Sequence, residues 1–118
     1  MPGWTAVASV DDFKDRAILP VRILGYNLIV LWIGDTLHAC QRLCPHEFSD
    51  LACGRIAQGR LLCSRHYVWF DLSDGRSGNG WNLPPLKVYP VRSMNGTIEI
   101  DAAAVAADPP VPLPHNVC

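Results

Sequence analysis

The feature that most restricts this chain is a pair of short turns, Cys44-Pro45-His46 and Cys63-Ser64-Arg65-His66, separated by sixteen residues. Each turn contributes one sulfur and one imidazole, so the fold must bring two mixed turns face to face. Such a set could chelate one tetrahedral zinc through two thiolates and two imidazoles. It could equally hold two irons, with the thiolates on one and the imidazoles on the other. Zinc sites of this ligand type place both thiolates in one turn and both histidines in another, whereas here each turn is mixed and the first has a single residue between its ligands. The spacing favours the pair of irons.

The remainder reads as one folded domain. The chain has 118 residues, 49% apolar and 18% charged, with ten Lys and Arg against eleven Asp and Glu. That is enough to bury a core, and a net charge of -1 supplies no field for nucleic acid or an anionic membrane. The start, Met1-Pro2-Gly3-Trp4, lacks the basic and apolar regions of a secretory signal. The greasy stretch from Ala17 to Ile33 is interrupted by Pro20, Arg22, Gly25 and Asn27, too short and too polar for a span. A cytoplasmic protein is expected. Five cysteines, an odd number in a reducing compartment, point to metal rather than to a disulfide framework.

Strand signals dominate the pattern. Trp4 to Val10 reads as a strand, followed at Asp11 to Asp15 by at most one capped helical turn. Leu19 to Leu24, Leu28 to Ile33 and Thr36 to Leu43 read as a three-stranded meander turning at Gly25-Tyr26-Asn27 and Gly34-Asp35. From Cys44 to Pro85 loops prevail, with brief apolar runs at Arg60 to Cys63 and Tyr67 to Leu72. Leu86 to Val91 and Thr97 to Ile100 form a closing hairpin whose Asn95-Gly96 supplies positive φ. Ala102 to Cys118 holds four of the ten prolines and reads as an extended tail. No repeat of solenoid or propeller length is present.

With these residues in view, C-x-H, sixteen residues, C-x-x-H resembles the Rieske [2Fe-2S] signature. Leu51, Gly54, Ile56, Gly59 and Leu61 resemble the family's framework between the loops, and Phe70-Asp71 with Asp74-Gly75 resembles its F-D-x-x-x-G turn. Pro84-Pro85 is similar to the family's proline loop and Tyr89-Pro90-Val91 to its Y-P-V, so the likeness runs from about residue 4 to 101. It implies one [2Fe-2S] cluster, with Cys44 and Cys63 on the inner iron and His46 and His66 on the outer one. The electron would then sit at the histidine side, at the tip, and no residue need act as acid, base or nucleophile. The fold implied is all-β: an antiparallel sandwich or barrel base, Trp4 to Leu43 with Leu86 to Ile100, and an inserted cluster-binding subdomain at about 44–85. Residues 1–101 would be the domain and 102–118 an Ala/Pro-rich tail.

Subtype follows from substitutions. High-potential relatives of respiratory complexes join two extra cysteines where this chain has Ser49 and Arg65, and place a Ser and a Tyr where it has Val68 and Phe70. Fewer donors to the sulfurs imply a potential toward the low end of the roughly -150 to +300 mV Rieske range. The pattern resembles soluble Rieske ferredoxins, monomers that are not themselves enzymes and that serve aromatic hydrocarbon catabolism. These carry electrons from a flavin-dependent NAD(P)H reductase to a terminal oxygenase, either a Rieske dioxygenase or a diiron monooxygenase, docking transiently at the cluster tip. The alternatives are the Rieske small subunit of an enzyme such as assimilatory nitrite reductase, or a zinc-stabilised binding module. Tyr67 replaces a common Gly, Trp69 is one position late, and the segment from Gly78 to Pro84 is similar to the G-x-G-I-N-P of diiron-system ferredoxins with about three extra residues. Tyr67, Trp69 and Trp81 read equally as loop packing or as docking anchors. Cys40, Cys53, Cys118, His38 and His115 read as incidental, and Arg42, Glu47, Asp50 and Arg65 as solvated charges.

Overall fold

Four consecutive side chains, Leu28, Ile29, Val30 and Leu31, are all 0% exposed, and they dictate the architecture. Successive strand side chains face opposite sides of a sheet, so an apolar run without alternation needs cover on both faces. The computed structural model describes residues 3–14, 16–45, 50–63, 68–78 and 85–110, and supplies both covers. In chain order the elements are β1 (Trp4–Ser9), β2 (Ile18–Ile23), β3 (Tyr26–Ile33), β4 (Thr36–Gln41), β5 (Arg55–Ala57), β6 (Arg60–Leu62), β7 (Trp69–Phe70), β8 (Val88–Tyr89), β9 (Val91–Met94), β10 (Thr97–Asp101) and helix α1 (Ala102–Ala107).

They form three antiparallel sheets, ordered β1-β10-β9, β2-β3-β4-β8 and β5-β6-β7. One face of the central sheet, through Leu28, Val30, Val21 and Ala39, packs with Ile98 and Ile100 of β10 into the base core. The other face, through Ile29, Leu31 and Cys40, packs with Leu51, Leu61, Val68, Phe70 and Leu86 into a second core. Each fully buried aliphatic side chain is worth about 2 kcal/mol of apolar transfer. β3 therefore joins the base to the subdomain carrying both turns. Among the described residues no helix is long and apolar enough to cross a membrane.

The structure bears out the all-β class and refines several local readings. The 3-10 turn Val10–Asp12 is capped by Ser9, whose Oγ accepts from Asp11 N at 3.2 Å while Asp12 Oδ2 accepts from Ser9 N at 2.9 Å. The acidic run supplies only the return bond of that box. The β2–β3 turn is Leu24-Gly25, with φ of 54° and 80°, so Tyr26 already belongs to the strand. The run Leu86 to Val91 does not form one strand. Pro90 has no N–H to donate, and the chain changes sheets there, β8 pairing with β4 and β9 with β10.

The extended tail reading fails over its first part. Asp101 caps α1 by accepting from Ala103 N at 3.0 Å, and Ala102 and Val105 are buried in the base core. Alanine is the best helix former, and Ala102 and Val105 turn inward to dock so short a helix. The prolines at 109 and 110 then end it, and residues 111–118 lie outside the described residues.

Candidate metal centre

Both turns leave from pinned strand ends. The first loop, residues 44–49, is closed by an antiparallel bridge between Leu43 and Asp50. Arg42 grips Asp50 through two parallel bonds, Nε to Oδ1 and Nη2 to Oδ2, each 2.8 Å. The carboxylate is fully enclosed and the guanidinium side chain 19% exposed. Asp50 Oδ1 also accepts from Ala52 N at 2.9 Å, capping the 3-10 turn Leu51–Cys53, and Leu51 N donates to Arg42 O at 2.7 Å. Arg42 and Asp50 are thus a part-buried bidentate pair with its carboxylate enclosed, not the solvated charges expected. The signal for it is their placement on either flank of a short loop, which pairing across the loop converts into contact.

The second loop, residues 64–67, is closed by Cys63 N donating to Val68 O at 2.8 Å and by β6–β7 pairing, Leu62 with Trp69 and Leu61 with Phe70. Gly54 sits against the Leu62 carbonyl, where a Cβ would collide with the oxygen. The exit of the first loop is therefore in contact with the entry of the second.

Cys44 and Cys63, 0% and 2% exposed, belong to one apolar cluster, and neither is in a disulfide. Two soft donors lining one apolar cluster suit an iron–sulfur group or zinc, and the described half of the donor set fits either. His46 and His66, with Tyr67, Glu47, Ser49, Arg65, Trp81 and Pro84, lie outside the described residues. Val68 and Phe70 are fully buried, so apolar side chains stand where high-potential relatives place hydroxyls.

A third segment, residues 85–87, is fastened to the same frame. Leu86 N donates to Gly75 O at 2.7 Å, and Gly75, at φ 80°, approaches the Leu86 backbone too closely for any side chain. Gly75 closes the Asp71 turn through its N–H to Asp71 O at 2.7 Å. Hydrogen bonds from the Ser73 amide and hydroxyl organise that turn and hold the Asp71 carboxyl below the usual carboxylate range. Buried Gln41 accepts from Lys87 N at 2.7 Å and donates to the carbonyl of Leu43, the residue before Cys44. Nothing in the local pattern singles out Gln41, a lone amide at the end of an apolar strand. Lys87 Nζ and Tyr89 OH also fasten the tail, donating to Pro109 O at 2.8 Å and Asp108 O at 2.7 Å. Burial, and behind it the Asp108 carboxylate, push the Tyr89 phenol well up.

Other readings resolve individually. Trp69 is loop packing: its ring lies against Gly78 on one side and under the Arg60 guanidinium, 4.1 Å from the ring centroid. Cys40 is wholly buried on β4, and burial pushes its thiol far up, so it stays protonated. Cys53, read as incidental, is disulfide-bonded. His38 lines a groove with Leu72, Ser73 and Tyr89, and desolvation lowers its pKa while Asp71 partly offsets it.

Comparison with known proteins agrees with this geometry. The family model for the Rieske [2Fe-2S] domain matches residues 3–90. The anthranilate 1,2-dioxygenase ferredoxin subunit of Burkholderia cepacia is 28% identical over 99 residues, covering 83% of this chain and 91% of its own length. The 5,5'-dehydrodivanillate O-demethylase oxygenase subunit of a Sphingobium strain is 27% identical, but the chain spans only 25% of it. A solved complex of reduced oxygenase and oxidized ferredoxin in carbazole 1,9a-dioxygenase contains a chain that superposes with a TM-score of 0.73 at 24% identity, covering 84% of this chain and 93% of that one.

Proposed function

Because the chain belongs to the Rieske [2Fe-2S] domain family, we propose that it is a cytoplasmic, monomeric ferredoxin passing single electrons from a flavin-dependent NAD(P)H reductase to a terminal hydroxylating oxygenase. The Rieske domain takes in the matched residues 3–90, the strands that follow and α1, which packs into the same base core. Cys44 and Cys63 hold the inner iron, and His46 and His66 the outer one. The observation that carries the reading is the seating of both cysteine side chains in one apolar cluster, each at the mouth of a separately closed loop. When bound, a [2Fe-2S] group with two imidazole ligands supplies a one-electron store within the roughly -150 to +300 mV Rieske range.

The chain's own residues set the terms of that store. Val68 and Phe70 offer no hydroxyl, which favours the low end of the range. Gln41 and Gly75 hold residues 85–87 against the strand end that leads into Cys44, and this segment with the two histidines would form the docking patch. Transient redox contacts bury under about 1,200 Å² in total, so a small patch suffices. The matched relatives are a ferredoxin and an oxygenase subunit, which favours an oxygenase partner over the nitrite reductase alternative.

The test is metal and sulfide analysis with anaerobic EPR of the dithionite-reduced protein. Two irons per chain and a rhombic signal of low average g are expected. One zinc per chain and no signal would overturn the reading.

A further inference from the structure

A single β-bridge is a weak closure for a loop that must present a metal ligand, because one bridge carries few of the ladder bonds that hold longer strands together. Leu43 and Asp50 form only such a bridge. Beside it stands the Arg42–Asp50 pair, bidentate at 2.8 Å twice, with its carboxylate fully enclosed. Bidentate guanidinium–carboxylate pairs fix direction as well as distance, which an ammonium at the same place does not.

The constraint continues along the chain. Asp50 caps the turn Leu51–Cys53 through Ala52 N, and Gly54 N donates to Leu51 O at 3.0 Å. Gly54 then abuts the carbonyl of Leu62, the residue before Cys63. From Arg42, two residues before Cys44, an unbroken series of contacts reaches the residue before Cys63. Through it one salt bridge links the segments that lead into the two cysteines.

Resting on the assignment of Cys44 and Cys63 as ligands, we propose that Arg42 and Asp50 are a positioning pair that sets the cluster's coordination geometry and its retention. The pair acts through the two loops. Its charge alone does not account for the role; the fork geometry does.

Arg42→Lys keeps the charge and loses the fork, and is compared with wild type and with Asp50→Asn, which keeps the Ala52 cap but loses the charge together with the Oδ2 acceptor of the fork. EPR g-values, reduction potential and the rate of iron release to a chelator are recorded on the loaded proteins, with hydrogen exchange at residues 28–31 as the measure of the base fold. In Arg42→Lys the g-values shift and iron leaves about tenfold faster, the loss expected for one charge-assisted bond, while residues 28–31 stay protected. Iron too short-lived to measure, with those amides still protected, is the same outcome at its limit. Wild-type g-values, potential and release rate in Arg42→Lys, with effects confined to Asp50→Asn, would overturn the proposal in favour of charge alone. Loss of protection at 28–31 in Arg42→Lys would also overturn it, because the pair would then be holding the whole fold. A wild type without the Rieske signal would overturn the ligand assignment and this inference together, whereas a loaded wild type with indifferent variants removes the inference alone.

Discussion

In the base, β2–β3 and β3–β4 each pair through six residues, and their side chains close over an apolar core. In the subdomain, β5–β6 pair through three residues and β6–β7 through two. Strands so short cannot hold themselves, and here the joints are polar or involve glycine: the Arg42–Asp50 fork, the Gln41 amide between Leu43 and Lys87, the Asp71 turn, and Gly54 and Gly75 against backbone carbonyls. Both regions bury an apolar core, but the base adds long strand ladders, whereas the subdomain has short ones and relies on a few directional contacts and on whatever its cysteines bind to hold its loops in place. A redox carrier gains from that division, because the loops can be shaped for a metal without taxing the fold beneath them.

The largest effect should come from removing a sulfur. Cys44→Ser is expected to abolish iron binding and the visible spectrum while leaving the far-UV dichroism of the base nearly unchanged; simultaneous loss of both would mean the two regions are one cooperative unit. Next is a matched pair of core deletions, each costing about 3 kcal/mol by transfer and cavity. Leu28→Ala, in the base core, should lower the unfolding midpoint with iron content retained, whereas Leu61→Ala, in the second core, should accelerate iron loss first. Urea titration followed by both dichroism and visible absorbance separates the two.

A smaller effect probes the tail. Tyr89→Phe removes the bond to Asp108 O and should cost about 1 kcal/mol, measured as a lower midpoint and as faster exchange in α1. An unchanged α1 would show that Ala102 and Val105 dock it unaided.

The smallest concerns His38. Its folded pKa lies below the ordinary value near 6.5, chiefly through desolvation, so between the two values the unfolded chain binds more protons. The stability tied to the neutral ring is therefore present above about pH 6.5 and is lost as pH falls through the folded value. His38→Gln should flatten that limb of midpoint against pH, and an unaltered limb would assign it to other groups.

How far the sequence disclosed this molecule follows the same division. The aliphatic run of β3, the Asn95-Gly96 turn at φ 54° and 81°, and the meander were legible because they rest on local pattern. Gly54 and Gly75 were legible only as framework positions; the structure supplies the reason, the backbone carbonyls of Leu62 and Leu86 pressed against them. The Arg42–Asp50 pair was missed because flanking charges are solvated by default, and only loop closure brings these two into line. The switch of sheets at Pro90 and the docking of α1 were missed because each depends on which distant strand lies alongside.

Hydrogen exchange on the iron-loaded and the chelator-stripped protein tests the division most directly. Amides of 28–31 should keep their protection in both forms, while those of 50–63 and 68–78 lose theirs on stripping. Equal loss in both regions, or no loss in either, would contradict an apolar base carrying a separately held metal site.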